Sequence, residues 1–222
     1  MRHEVKKRTR VGLRIDKMYG VLEGHFGNLK WWPAKSCFEV IIGAILTQNT
    51  AWANVEKAVK TLSAEKLLDP YKILKTSDSR LEGYIRSAGY NKTKVRRLKN
   101  VSRFIINECD GEISRLKRED INTIRKKLLE VKGIGPETAD SVLLYVLGKP
   151  VFIASAYARR IFFRHNLVDE NITYRDLQDL VFENFPRSRK KLNQFHALIV
   201  ETGKNFCKKK KPLCAECPLK SL

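Results

Sequence analysis

The chain has 222 residues, 44 of them Lys or Arg against 24 Asp or Glu, for a net charge of +20. That excess attracts a polyanion from a distance and exceeds what solubility requires. Hydrophobic residues at 43% suffice for a buried core, and the basic residues run from Lys6 through Arg96, Arg97, Arg125 and Arg187 to Lys211, which excludes a single disordered basic tail. No apolar run reaches membrane-spanning length and no apolar stretch follows the charged N-terminus, so the expectation is an intracellular, cytoplasmic protein with no membrane partner.

In chain order, the apolar spacing predicts an all-α protein. Residues 38–46 are β-branched enough to imitate a buried strand, but the pattern continues through Trp52 to Leu62 at the helical period and predicts a core helix. Further helices are expected near residues 64–68 and 81–87. Val95, Leu98, Val101 and Ile105 share a helix face, as do Ile121, Ile124, Leu128 and Val131, and then Ala139, Val142, Leu143 and Val146. The last helices are expected over 156–165, 174–185 and 192–206.

Between two of these faces, residues 131–139 read Val-Lys-Gly-Ile-Gly-Pro-Glu-Thr-Ala. Gly133 and Gly135 can adopt backbone angles closed to other residues, so the turn around Ile134 bares its amides. Pro136 suits the first helical position because it has no N–H to lose there. A helix start of this kind favours an anion, and on a chain this basic the expected anion is DNA backbone. Standing alone, the nine residues also read as a Gly-Pro turn between core helices.

Of five cysteines, Cys207, Cys214 and Cys217 cluster near the end and read as metal ligands rather than a disulfide framework. Cys37 and Cys109 fall within helical patterns and read as small buried apolar residues.

The Gly-Ile-Gly hairpin, the turn Leu46-Thr47-Gln48-Asn49-Thr50, Ala156-Tyr157 followed by Arg159-Arg160-Ile161-Phe162, and the cysteine spacing together resemble the endonuclease III branch of the helix-hairpin-helix DNA glycosylases, from Trp31 onward. Trp31-Trp32-Pro33 and Asn49-Thr50-Ala51-Trp52 look closest to the bacterial 3-methyladenine glycosylase subgroup. The resemblance implies two helical domains with a DNA-binding cleft between them. Residues 31–149 would form a six-helix barrel with the hairpin, and residues 1–30 with 150–222 the terminal domain and its iron-sulfur loop. It also implies a monomer that binds damaged double-stranded DNA and acts on a base turned out of the duplex, because the glycosidic carbon is out of reach inside the stack.

Site residues follow from the same resemblance. Cys207, Cys214 and Cys217 would hold a four-iron four-sulfur (4Fe-4S) cluster, whose fourth ligand falls at position 223 and is not present in the chain; a zinc site would lack its fourth ligand too. The cluster would pin a loop whose Lys208 and Lys209 face phosphates, with Asn49 and Lys94 as further DNA contacts. Gln48 would enter the gap left by the flipped nucleotide, or else cap a helix C-terminus. Tyr90 would stack on the base opposite. Trp52 with Trp31 or Trp32 would sandwich the extruded base, against core packing as the plainer role.

Two positions bear on the chemistry. Glu137 stands where lyase-competent relatives carry a lysine, and a carboxylate cannot form their imine, so a monofunctional hydrolase is expected. Ser155 stands where the family has an aspartate that stabilises the cationic sugar. Serine can cap the next helix but offers no charge, a loss on the order of 3–4 kcal/mol in the transition state. Asp140, one turn past Glu137, is a candidate substitute acid, or else a solvated helix residue. An endonuclease acting on abasic or damaged DNA, and a lesion-binding protein without chemistry, are the alternatives.

Overall fold

The computed structural model describes residues 9–29, 31–32 and 34–222. Lys6 of the basic series and Pro33 of the Trp-Trp-Pro motif lie outside the described residues. The described chain is helical, with no strand among the described residues, and divides into two compact units, one of residues up to Trp31 with Pro150–Leu222 and one of Trp32–Lys149. No described helix is long and apolar enough to cross a membrane.

Helix α1 (Arg10–Phe26) belongs to the unit that contains both ends of the chain. It is absent from the elements expected above because its apolar stripe is narrow, with Ile15, Met18 and Leu22 buried between charged positions. Thr9 starts it by accepting the Gly12 N–H at 3.0 Å.

The unit Trp32–Lys149 contains α2 (Cys37–Leu46), α3 (Trp52–Ala64), α4 (Pro70–Lys75), α5 (Asp78–Tyr84), α6 (Asn91–Cys109), α7 (Ile121–Glu130) and α8 (Pro136–Ser141). The expected continuous helix over 38–62 is two helices, broken at residues 47–51, where Asn49 takes a left-handed φ of 55°. α2 is buried on all sides from Val40 to Leu46, which explains its strand-like composition. No helix forms over 64–68 beyond the last residue of α3, since Lys66 is left-handed (φ 55°). α4 instead starts where Asp69 accepts the Lys72 N–H at 2.9 Å and Pro70 takes the first helical position. α8 widens directly into a π-turn over Val142–Val146, whose Val142, Leu143, Leu144 and Val146 enter the core.

In the terminal unit, α10 (Tyr174–Asn184) and α11 (Arg189–Asn205) pack on α1, and α9 (Ala156–Arg164) packs on α11. Their core is aromatic: Phe195 lies 4.8 Å from Phe185, 5.9 Å from Phe152 and 6.4 Å from Phe162 between ring centroids. Each such pair contributes about 0.5–1.5 kcal/mol beyond its buried area. α9 and α11 touch at Gly203, where a Cβ would stand 2.2 Å from Tyr157 Cδ1.

Candidate functional site

In the unit Trp32–Lys149, α7, a tight turn and α8 form the helix-hairpin-helix. The Ile134 N–H donates to Val131 O at 2.9 Å and closes the turn, while the Ile134 side chain is buried. Gly133 has φ 105°, and a Cβ there would stand 2.3 Å from Arg97 Cγ, so glycine is required twice over. Gly135 corrects the expectation of an unusual backbone: its φ of −96° is open to any residue, and a Cβ would meet open space. The Ile134 amide, expected to face a phosphate, is spent inside the turn. The Gly133 and Gly135 amides have no partner among the described residues.

Gln48 sits on the turn between α2 and α3 with its side chain folded onto the hairpin. Its Nε2 donates to Gly133 O at 3.2 Å and to Thr138 Oγ1 at 2.9 Å, and its Oε1 accepts from Arg97. It therefore reaches across to the hairpin rather than capping α2. Asn49 beside it is exposed. Tyr90, at the start of α6, is held in a left-handed conformation (φ 51°) with 71% of its surface exposed, unlike a core aromatic.

Lys94 is a correction. Expected among the DNA-contacting cations, it is 1% exposed, and its ammonium is turned inward onto Leu46 O, Thr50 Oγ1 and Ala88 O. Trp32 packs edge-on against Trp52 with centroids 5.0 Å apart, and against Tyr145 at 5.4 Å. Two rings in edge contact leave no slot between them for a base. Gly43 of α2 makes room for this packing, since a Cβ there would be 3.0 Å from Trp32 Cζ2.

Asp140 is a further correction. It is fully buried rather than solvated, and its carboxylate accepts from Arg125 Nε at 2.8 Å and Nη2 at 3.3 Å. Glu137 lies exposed in the first turn of α8.

In the terminal unit, Ser155 is 1% exposed and caps α9, its Oγ accepting the Ala158 N–H at 3.3 Å. The segment before it is held by Gln178, whose Nε2 donates to Phe152 O at 2.6 Å. Trp31 lines a cavity of about 550 Å³ with Tyr19, Asn28, Lys190 and Gln194.

Cys207 and Cys217 are buried and Cys214 is exposed. Two arginines of α9 hold this loop. Arg160 Nε donates to Cys207 O at 2.7 Å, and Arg164 Nη1 reaches Cys207 Sγ at 3.3 Å and Lys208 O at 2.8 Å. Burial pushes the Cys217 thiol up, and its neighbours Cys207 and Cys214 push it further. Among the described residues no three His, Cys, Asp or Glu side chains gather closely enough to hold one metal ion. The side chains of Lys208 and Lys209 are exposed.

Arg97, Arg125, Arg160 and Arg164 were not assigned roles from sequence. Arg160 and Arg164 lie one turn apart on α9, a spacing that marks a shared face; Arg97 and Arg125 find partners far away in sequence and left no local signal.

Residues 42–187 match the family model of the HhH-GPD superfamily base excision DNA repair protein. A putative DNA repair glycosylase of Methanocaldococcus jannaschii is 42% identical over 208 residues, covering 93% of this chain and 94% of the relative. Endonuclease III of Sulfolobus acidocaldarius is 28% identical over 187 residues, covering 84% and 81%. Among solved structures, a non-covalent endonuclease III–DNA complex superposes with a TM-score of 0.81 at 23% identity over 94% of this chain and 93% of that one, a likeness of fold. The 3-methyladenine DNA glycosylase MagIII of H. pylori, bound to 1,N6-ethenoadenine, gives 0.73 at 26% identity over 88% and 98%. With the hairpin, the all-helical architecture and a match over most of its length, the chain belongs to the HhH-GPD superfamily of base excision DNA repair proteins.

Proposed function

We propose that this protein binds damaged duplex DNA, turns the lesion out of the stack and hydrolyses its N-glycosidic bond without a lyase step. Glu137 carries the reading. It is an exposed carboxylate on the first turn of α8, at the position where lyase-competent relatives have an amine, and it cannot form an imine with the sugar. The Gly133 and Gly135 amides, with Asn49, Lys208 and Lys209, are the phosphate contacts. Gln48 and Tyr90 are the residues that fill the gap, Gln48 after releasing Gly133 and Thr138. Trp31, Trp32 and Trp52 are the stacking surfaces for the base, the latter two once their edge contact opens. The two compact units act as the two domains of a monomer.

Cys207, Cys214 and Cys217 would hold a 4Fe-4S cluster. The donor chemistry fits, since two sulfurs are shielded from water and Arg164 already faces Cys207 Sγ; a cluster takes each sulfur on a different iron and so does not need them around one ion. When bound, the cluster would fix the loop, while Arg160 and Arg164 orient it from α9.

A lesion-binding protein without chemistry is the second reading, favoured by two observations: Ser155 has no charge and Asp140 is committed to Arg125. Duplexes carrying uracil, thymine opposite guanine, methyladenine or an abasic site, resolved by electrophoresis before and after alkali, separate the readings. Free base with an intact strand supports hydrolysis. A nick without base release makes the protein an endonuclease, and retention without product makes it a binder.

A further inference from the structure

Lys94 projects from α6 into the interior, where an ammonium is costly unless all its hydrogens are bonded. Its Nζ donates to Leu46 O at 2.7 Å, Thr50 Oγ1 at 2.6 Å and Ala88 O at 2.8 Å. Thr50 Oγ1 in turn donates to the same Ala88 O at 2.6 Å. Leu46 is the last residue of α2 and Thr50 ends the turn that carries Gln48, whereas Ala88 closes the short turn Arg86–Ala88 that leads through Gly89 to Tyr90. Two turns from distant parts of the sequence are thus fastened to one buried cation.

We propose that Lys94 is a positioning residue that joins the Gln48 turn and the Tyr90 turn into one rigid probe, so that discrimination of damaged from undamaged duplex depends on its protonated form. The proposal rests on the reading of Gln48 and Tyr90 as gap-filling residues. A neutral amine has two hydrogens for three oxygens and no charge to strengthen their bonds, so deprotonation loosens the fastening and leaves the single Thr50 Oγ1 to Ala88 O hydrogen bond as the direct link between the turns. Burial, with Arg97 one turn along α6 acting in the same direction, lowers Lys94 to about 8. The groups that α2, the Gln48 turn and the turn at Ala88 present to it are the neutral Leu46 and Ala88 carbonyls and the Thr50 hydroxyl.

The test measures affinity for a duplex containing a tetrahydrofuran abasic-site analogue against the undamaged duplex, from about pH 6.5 to about pH 9.5, a window around the lowered value. In the unaltered protein the ratio of the two affinities is expected to fall about tenfold as pH rises through 8, the scale of one charge-assisted hydrogen bond. Lys94→Met should have the low ratio at every pH while still binding undamaged duplex, and Lys94→Arg, which keeps its charge, should show no step. Gln48→Ala lowering the ratio while the unaltered protein stays flat across the window, or while Lys94→Met matches it, overturns the coupling and leaves the gap-filling reading standing. Gln48→Ala leaving the ratio unchanged overturns that reading and the coupling with it. If Lys94→Met does not fold, the pH profiles of the unaltered protein and Lys94→Arg decide alone.

Discussion

Arg125 and Asp140 join the two arms of the hairpin: the guanidinium on α7 donates twice, at 2.8 and 3.3 Å, to a carboxylate on α8 with no exposed surface. The pair fixes the angle at which α8 leaves the turn, and so where Gly133 and Gly135 point their amides. Removing Arg125 leaves a buried charge without its main counter-ion, which destabilises by about 3–5 kcal/mol. Arg125→Ala should therefore lower the denaturant midpoint strongly. Asp140→Asn should cost stability while leaving the rate of base release by the folded fraction near its starting value; a selective loss of rate would return Asp140 to the catalytic role.

Ser155 leads to a kinetic prediction. Its Oγ already caps α9, and aspartate caps equally well, so Ser155→Asp should fold normally. If the proposed hydrolysis takes place beside this residue, the change adds a negative charge where cationic character would develop on the sugar, and base release should rise about a hundredfold or more. Single-turnover assays on a methyladenine duplex check this. Rapid release by the unaltered protein, unmoved by Ser155→Asp and lost in Glu137→Gln, would mean that the essential acid lies elsewhere.

Much of the architecture is legible from spacing alone, and the failures share a cause. The helices of α6, α7, α9, α10 and α11 follow apolar periodicity. The break at 47–51 does not, because Asn49 ends the helical path by a backbone rotation that leaves the apolar period intact on both sides. At the site, the hairpin, the exposed Tyr90 and the cysteine spacing are local features and can be read along the chain. The fates of Lys94 and Asp140 depend on Leu46, Thr50 and Arg125 arriving from other helices and turns, so a lysine expected to contact DNA and an aspartate that looks like a solvated helix residue turn out buried and bonded.

Recognition and general affinity should separate by mutation. Lys208 and Lys209 are exposed, and their carbonyls are held by Arg164, so the loop is ordered while the ammonium groups stay in solvent. Replacing both with alanine should flatten the dependence of log affinity on log salt by about 1.8, or about 0.9 per lost phosphate contact. It should weaken damaged and undamaged duplex alike. Gln48→Ala should instead reduce the ratio between them. Equal slopes for the double lysine variant and the unaltered protein would remove the loop from the interface.

Gly203 permits the approach of α9 that brings Arg160 and Arg164 to the cysteine loop. A methyl group at this position meets the base of the Tyr157 ring, with Cγ at 2.8 Å and Cβ at 3.0 Å as well as Cδ1. Those atoms cannot swing aside without moving α9, so the helical preference for alanine is outweighed by overpacking of about 1–3 kcal/mol. Gly203→Ala should lower the denaturant midpoint and, in cluster-free protein, expose the Cys207 thiol to alkylation faster than in the cluster-free parent. Unchanged thiol reactivity would mean that the loop does not depend on the α9–α11 contact.

Acid stability should carry the mark of His196 on α11. Burial pushes its imidazole from the ordinary 6.5 down to about 4. Between those values the unfolded chain takes up a proton that the folded chain refuses, so the unfolded state binds more protons and stability falls as pH falls. The contribution is fully present above about 6.5, declines through the window and is spent near 4, about 3 kcal/mol in all. Urea unfolding at about pH 7.5 and about pH 4.5 should show a loss of that order in the parent. His196→Gln, which cannot take up the proton, should show a much smaller loss over the same interval, even if it starts from a lower stability. A slope unchanged by His196→Gln would assign the acid sensitivity to the carboxylates instead.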